Sequence, residues 1–232
     1  MARKILILGE TGTGKSHSEK YLNPSETVII CPDEKELPFK GWKMNYKTVL
    51  KADGSIDPNE TNFYKQTDFK KIEKFLDHIS NNRSNIKNII IDTITLAQIK
   101  SFMDNAKIKG FDKFTDMALE VYNLFKKIDT LRDDLNVFVM AHTDREDLYG
   151  QTKTKFSVPG GKLIGEKIKP ESMFTVVLET EVEIKDNKVN YYFVTQNNGS
   201  NSAKSPEGMF EQRIPNNLQY VLEKIEKYEN EE

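Results

Sequence analysis

Apolar residues along the chain fall into two patterns, short continuous runs and longer stretches with helical spacing. Each continuous run is closed by a glycine, a proline or a polar side chain, and such runs predict buried strands of a parallel sheet. The runs lie at residues 5–9, 27–31, 88–92 and 137–141. Helical spacing of the apolar residues predicts helices at about 15–21, 68–81, 96–107 and 115–132.

The C-terminal part of the chain adds two further strands and a helix. Residues 174–184 and 189–196 meet across Asp186-Asn187, which is typical of a tight hairpin turn, and an amphipathic stretch follows at 216–228. Strands that alternate with helices predict an α/β fold in three layers, with a mostly parallel sheet and a C-terminal antiparallel hairpin. No linker or repeat interrupts the pattern, which predicts one domain over residues 1–232. A Lys/Gly-rich stretch at about 148–170 has no period and is expected to be a flexible loop.

Composition narrows the classes of partner. The formal net charge is −2, so the molecule as a whole is not attracted to nucleic acid, and polyanion binding would need a local patch. Cys31 is the only cysteine, which excludes an intramolecular disulfide and a multi-cysteine metal site. The first apolar run is too short for a signal peptide or a membrane span, so the expected location is cytoplasmic, with no membrane partner.

Residues 9–16 read GETGTGKS and fit the pattern G-x-x-x-x-G-K-[ST] at every fixed position. Glycines permit a tight loop whose N–H groups surround phosphate oxygens, and the following helix adds the positive end of its dipole. Lys15 would contact the β- and γ-phosphates, and Ser16 would bind Mg²⁺. A glycine-rich turn could fit the pattern by chance, but its place between a strand and a helix favours phosphate binding. The predicted nucleotide-binding residues are Gly9, Thr11, Gly12, Thr13, Gly14, Lys15, Ser16 and His17.

Asp92 closes the third predicted strand and is the second candidate metal ligand, with Ser16. At the carboxyl edge of the sheet its carboxylate can hold Mg²⁺, although an aspartate there can also simply cap a turn. Thr93 follows where many P-loop ATPases carry a glutamate that activates water. The general base therefore stays open among Glu10, Asp33 and Glu34.

His142 closes the fourth predicted strand. If that strand lies between the first and the third, the histidine faces the γ-phosphate, where a polar residue can distinguish ATP from ADP. A histidine that only starts a loop is the alternative. Lys15, Asp92 and His142 are thus the predicted catalytic residues.

Several segments resemble a group of bacteriophage proteins, the short RecA-like P-loop ATPases described as AAA-family ATP-binding proteins and related to the phage single-strand annealing type. The resemblance implies a RecA-like core that binds ATP and Mg²⁺, a role in phage DNA recombination or replication in the host cytoplasm, and assembly into a homo-oligomer. It also implies that Lys204 reaches a neighbouring subunit's phosphate. Asp92-Thr93 departs from the two acids that the phage family often carries, which bears on hydrolysis rather than on binding. The segments are ILILGETGTGKS, LPFKG, NIIIDT, GFDKFTDMALEVYN, LRDDLNVFVMAH, KLIGEKI, MFTVVLET, YYFVTQNNGSNSAKSPEGMFE and IPNNLQYV.

The Lys/Gly-rich stretch is a candidate surface for single-stranded DNA. Lys153, Lys155 and Lys162 could contact phosphates and Phe156 could stack on a base, although such lysines also keep an ordinary loop solvated. A small-molecule kinase is an alternative function, disfavoured by the lack of an Arg-rich lid. A nucleotide-gated structural subunit with little turnover is another. No Asn-Lys-x-Asp guanine signature occurs, which favours ATP.

Overall fold

The computed structural model describes residues 1–33, 35–110, 112–148, 151–158 and 169–231. The strands are β1 (Arg3–Leu8), β2 (Thr27–Ile30), β3 (Phe63–Tyr64), β4 (Asn88–Ile91), β5 (Asn136–Ala141), β6 (Thr143–Leu148), β7 (Gln151–Phe156), β8 (Val176–Lys185), β9 (Lys188–Val194) and β10 (Arg213–Pro215). The α-helices are α1 (Trp42–Asn45), α2 (Phe69–Asn82), α3 (Ile94–Asp104), α4 (Asp112–Asp129) and α5 (Leu218–Asn230). Two short 3-10 helices lie at Ser16–Tyr21 and Pro170–Met173.

Eight of these strands form one sheet in the order β10-β9-β8-β1-β5-β4-β2-β3. Every neighbouring pair from β8 to β3 is parallel, whereas β9 runs antiparallel to β8 and β10 runs antiparallel to β9. Asp186 and Asn187 both have positive φ angles, 51° and 58°, and turn the predicted hairpin between β8 and β9. The predicted α/β fold is confirmed.

Helices cover both faces of the sheet and make the predicted three layers. On one face α2 and α4 bury apolar stripes that include Ile72, Leu76, Val121 and Phe125. On the other face α5 buries Leu218, Val221, Leu222 and Ile225. None of the described helices is long and apolar enough to cross a membrane.

Helix starts follow local capping chemistry. Asp68 precedes α2 and its carboxylate accepts a hydrogen bond from the backbone N–H of Lys71 at 3.1 Å. The last helix begins two residues later than expected, at Leu218, because Asn217 is its N-cap and its side chain accepts from the N–H groups of Gln219 and Tyr220. The helix predicted after the phosphate loop is formed, but as a 3-10 helix.

The stretch predicted as a loop at about 148–170 contains regular structure where it is described. β6 and β7 form a separate antiparallel hairpin, and residues 149–150 and 159–168 lie outside the described residues. Polar anchors hold β7 in place: the Thr154 hydroxyl donates to Glu179 at 2.6 Å, and its N–H donates to the Ser200 carbonyl at 2.9 Å. The short strands β3 and β10 also lack a sequence signal.

The sheet order places three strand ends side by side. β5 lies between β1 and β4, so the phosphate-loop sequence, the residue after β5 and the residue after β4 meet at the carboxyl edge. Open α/β sheets bind ligands at this edge, in the crevice outside the strand ends.

Candidate active site

The loop after β1 is shaped by close contacts that only glycine tolerates. A Cβ at Gly9 would lie 1.8 Å from the Thr180 hydroxyl oxygen, and Gly14 has a φ of +96° with a would-be Cβ 2.8 Å from the Tyr191 ring. Thr13 fixes the loop from within, since its hydroxyl lies 2.7 Å from the Glu10 carbonyl and 2.5 Å from the Thr180 hydroxyl. Backbone of this shape turns N–H groups toward an anion.

Lys15 sits in the middle of the loop with only 5% of its surface exposed. Its ammonium donates to the carbonyls of Gly9 and Glu10 at 2.7 and 2.9 Å and lies 3.3 Å from Nδ1 of His142. Burial lowers the pKa of Lys15 to about 8, while the nearby Asp92 charge acts in the opposite direction. The cation lacks a full counter-charge of its own, so an entering phosphate would stabilise it.

Asp92 and Ser16 lie close together at the carboxyl edge of the sheet, as a shared metal site requires. Burial raises the pKa of the Asp92 carboxyl above its usual value. Asp92 is 5% exposed, and no described residue donates to its Oδ1. A buried carboxylate oxygen without a donor, beside a hydroxyl, fits the oxygen ligands that Mg²⁺ prefers. The peptide bond between Asp92 and Thr93 is cis.

Most of the predicted residues line one cavity of about 390 Å³, which is within the range of small-ligand pockets. Gly9 and Thr13 do not line it, since they brace the loop from behind. Other residues on the wall include Asp33, Lys35 and Tyr191. The predicted residues on the wall are Thr11, Gly12, Gly14, Lys15, Ser16, His17, Asp92 and His142.

Comparison with protein families agrees with this geometry. A family model described as an AAA domain matches residues 1–206. The chain belongs to this AAA domain family. It is therefore a P-loop ATPase domain of the AAA type, with a RecA-like α/β fold.

Curated proteins and solved structures give less information about this chain than the family does. A search of curated proteins found no match. Among solved structures, a KaiC-like protein from the hyperthermophilic archaeon Pyrococcus horikoshii OT3 is similar, with a TM-score of 0.44 and 12% identity; the match covers 83% of this chain and 77% of the other.

The three carboxylates considered as general base differ in their surroundings in this AAA domain. Asp33 lines the phosphate cavity and accepts from the Cys31 thiol at 2.8 Å, and the Lys35 ammonium lies 3.0 Å from its second oxygen. Glu10 instead forms an ion pair at 2.6 Å with Arg145 of β6. Glu34 lies outside the described residues. Of the two described carboxylates, only Asp33 lines the cavity.

His142 occupies the predicted position between the strands that carry the loop and Asp92. Its backbone N–H donates to the Thr95 hydroxyl at 2.9 Å, which fixes the residue at the strand end. Burial and then the charge of Lys15 lower the pKa of the ring, so the neutral form predominates at pH 7. A neutral ring accepts from Lys15 at Nδ1 and carries its proton on Nε2, where it can donate to a phosphate oxygen.

Three residues at the site have no sequence signal: Glu19, Tyr191 and Asn216. Glu19, on the 3-10 helix, is fully buried, and the charge of Asp92 is close to its carboxyl. On the other side of the loop the rings of His17 and Tyr191 lie 5.6 Å apart between centroids, and both line the cavity. Asn216 is buried against Gly14 and His17, and its amide atoms make no hydrogen bond of normal geometry to described residues. The aromatic pair offers a wall for a planar ring.

The described lysines among those predicted to contact polyanions line a second cavity, of about 370 Å³, beside the β6–β7 hairpin. Lys153, Lys155 and Lys204 line it together with Lys169, although Lys155 is already paired with Glu146 at 3.0 Å. Phe156 does not present a free ring there, because it is 1% exposed and packs edge-on against Phe125 in the core. The stacking role expected for Phe156 is therefore wrong in this conformation. Lys162 lies outside the described residues.

Proposed function

We propose that this AAA domain hydrolyses ATP in a Mg²⁺-dependent reaction. The observation that carries the proposal is the meeting of Lys15, Ser16, Asp92 and His142 in one cavity beside the glycine loop. These groups supply a cation, two oxygen ligands and a neutral hydrogen-bond donor around a single position. A γ-phosphate needs the same set of partners for positioning and charge neutralisation.

Each residue has a distinct task in this mechanism. The N–H groups of the loop bind phosphate oxygens, and Lys15 exchanges the carbonyls of Gly9 and Glu10 for the β- and γ-phosphates. Ser16 and Asp92 would hold Mg²⁺, and the bound ion would neutralise charge on the phosphates. His142 donates from Nε2 to the γ-phosphate. Because ADP lacks this phosphate, the carboxyl end of β5 is in contact with ATP but not with ADP. Asp33 is the carboxylate we assign to orienting the attacking water.

We further propose that the chain acts in phage DNA recombination or replication, in the cytoplasm of the host, as a single domain over residues 1–232. The family resemblance of its segments and the lysine-lined cavity support this role. Lys153, Lys155 and Lys162 would contact the phosphates of single-stranded DNA. In a homo-oligomer, Lys204 would contact the phosphate bound by a neighbouring copy.

Phosphate release from ATP, measured with and without single-stranded DNA, tests the proposal. We expect Mg²⁺-dependent release that increases when DNA is added. A rate of hydrolysis that does not change when DNA is added would contradict the recombination role and favour a metabolite kinase. Tightly bound ATP with negligible release under both conditions would contradict the ATPase assignment itself.

Replacing Lys153, Lys155 and Lys162 together by alanine should weaken binding of single-stranded DNA by about tenfold or more, and should lower the slope of log affinity against log salt by about 2, because three phosphate contacts are lost. Anisotropy titrations at several salt concentrations measure both quantities. The matched control replaces Lys70, Lys71 and Lys74, three exposed lysines of α2, and should behave as the parent. Equal affinity and slope in all three proteins would disprove a DNA surface at the hairpin.

A second candidate function is a nucleotide-gated structural subunit with little turnover. The residue after Asp92 favours it, because Thr93 supplies a buried hydroxyl without a described partner where a second carboxylate would activate water. Under this function the same cavity binds ATP, and the chain changes conformation without rapid hydrolysis.

A further inference from the structure

Lys35 lines the nucleotide cavity together with Lys15, and the mechanism described above gives it no task. It belongs to the loop after β2, whereas Lys15 belongs to the phosphate loop after β1. Burial is the main reason that the pKa values of Lys15 and His142 are low, and the positive charge of Lys35 lowers both further. The Lys35 ammonium therefore lies near the two side chains that we assign to the γ-phosphate.

Hydrogen bonds fix the backbone of Lys35 but leave its side chain largely in solvent. The Lys35 N–H donates to Oδ1 of Asp33 at 3.2 Å, and the Cys31 thiol lies 3.8 Å from the Lys35 carbonyl oxygen. The ammonium lies 3.0 Å from Oδ2 of Asp33, although 68% of the Lys35 side chain is exposed. An ion pair at an exposed lysine contributes little to stability, because water screens the charges. The side chain can therefore leave Asp33 while the loop keeps its shape.

Both oxygens of Asp33 are engaged in this arrangement. Oδ1 accepts from the Cys31 thiol at 2.8 Å and from the Lys35 N–H, and Oδ2 is paired with the Lys35 ammonium. We assign Asp33 to orienting the attacking water, and a carboxylate does so by accepting a hydrogen bond from it. The ammonium competes with water for Oδ2. Asp33 is thus better placed for this task after Lys35 has moved away.

We propose that Lys35 is a catalytic residue that moves from Asp33 to the γ-phosphate when ATP binds. A terminal phosphate carries more negative charge and more acceptor oxygens than one carboxylate, so it attracts the ammonium more strongly. A lysine suits this movement because its ammonium is a point charge on a flexible stem. The same movement leaves Oδ2 of Asp33 to the water. The inference rests on the proposed hydrolysis of ATP at this site.

Both groups then assist one displacement. The water oxygen forms a bond to the γ-phosphorus while a water proton passes to Oδ2 of Asp33. The bond from phosphorus to the bridging oxygen breaks, and its electron pair leaves on ADP. Lys35 stabilises the negative charge on the oxygens of the transferred group, where a positive side chain lowers the barrier. ADP has no γ-phosphate, so Lys35 returns to Asp33 after phosphate has left.

Lys35→Ala tests the contact with the γ-phosphate. Calorimetry in Mg²⁺ should show that the non-hydrolysable β,γ-imido analogue of ATP binds about tenfold more weakly, the scale of one lost hydrogen bond between charged groups. Binding of ADP should stay within about threefold of the parent, because ADP does not reach Lys35. Phosphate release from ATP should fall about tenfold or more. Tm should stay close to that of the parent, since the side chain is exposed.

Lys87→Ala is the matched control. Lys87 is also exposed and also ion-paired, with Asp134, but it precedes β4 and so lies at the amino edge of the sheet, away from the cavity. This variant removes the same charge from the protein. It should keep the analogue affinity, the ADP affinity and the hydrolysis rate of the parent.

Asp33→Asn tests the movement of Lys35 from one partner to the other. The change removes the carboxylate that holds Lys35 in the free protein, so the analogue should bind about threefold more tightly or better. Phosphate release should nevertheless fall about 100-fold or more, because water loses its carboxylate. Combining Asp33→Asn with Lys35→Ala should abolish the gain in affinity, since the gain depends on a free Lys35.

Four results would overturn the inference. Faster hydrolysis by Lys35→Ala would show that Lys35 only blocks Asp33, and parent-like binding and hydrolysis would show that it takes no part. Equal weakening of analogue and ADP binding would assign the effect to the overall charge of the cavity. Weaker analogue binding by Asp33→Asn would exclude the movement from Asp33. A parent protein that releases no phosphate would overturn the proposed function as well, and that failure is visible before any variant is compared.

Discussion

Replacing Lys15 with alanine is expected to reduce ATP hydrolysis about 100-fold or more, the scale seen when a transition-state contact is removed. The structure gives the reason, because the Lys15 ammonium is buried at the centre of the loop and its partners are two backbone carbonyls and a neutral ring. Lys35, another lysine on the cavity wall, is paired with the Asp33 carboxylate at 3.0 Å and does not contact the loop carbonyls that Lys15 binds. Phosphate release at saturating ATP and Mg²⁺ measures the effect.

Two further variants separate charge from packing. Lys15→Met keeps most of the buried aliphatic volume and should lose activity as fully as Lys15→Ala, with less change in Tm. Lys70→Ala removes an exposed lysine of α2 and should keep the activity of the parent. Turnover by Lys15→Met close to that of the parent would mean that the cavity is not the catalytic centre.

Replacing Asp92 with asparagine is expected to raise the Mg²⁺ concentration that hydrolysis requires while making the protein more stable. Asparagine keeps the shape but is a much weaker ligand, so half-maximal activity should require about tenfold more Mg²⁺ or more. The same change removes a buried negative charge that lies close to Glu19 and Asp33, and such charges cost stability in the apo protein. Tm should therefore rise by about 2–4 °C for each kcal/mol relieved in a chain of this size.

The metal-binding role and the structural role of Asp92 predict changes of Tm in opposite directions, so substitution distinguishes between them. A structural aspartate that merely caps the following turn would give a lower Tm and an unchanged Mg²⁺ requirement on substitution. Thermal melts in EDTA and in excess Mg²⁺ distinguish the two roles, because only the metal-binding role makes the parent, and not Asp92→Asn, gain stability from Mg²⁺.

The parallel core was predictable because its signals are local. Each buried strand is a continuous apolar run, and α2 has both an N-cap at Asp68 and a regular apolar stripe. The β6–β7 hairpin could not be predicted, because its residues are mostly Thr and charged types and Phe156 alone is buried among the described side chains of β7. The hairpin is held in place by hydrogen bonds to residues distant in sequence, such as Glu179 and Ser200. A local sequence pattern does not reveal contacts of this kind.

The candidate site also contains some residues that the sequence could predict and others that it could not. The loop, Asp92 and His142 carry signals because fixed spacing and strand ends determine where they lie. Glu19 carries none, since a glutamate in a charged segment is ordinarily exposed and only the packed fold brings it beneath Asp92. Tyr191 likewise reaches Gly14 through the sheet order, which sequence periodicity does not specify.

The thiol next to Asp33 bears on how this protein can be labelled. Cys31 is 2% exposed, and burial together with the Asp33 carboxylate raises the pKa of the thiol. Since the thiolate is the nucleophile, Cys31 should react slowly with maleimides. A cysteine introduced at an exposed position of α2, such as Lys70, would then couple a dye at one defined place, and the native cysteine could stay where it is.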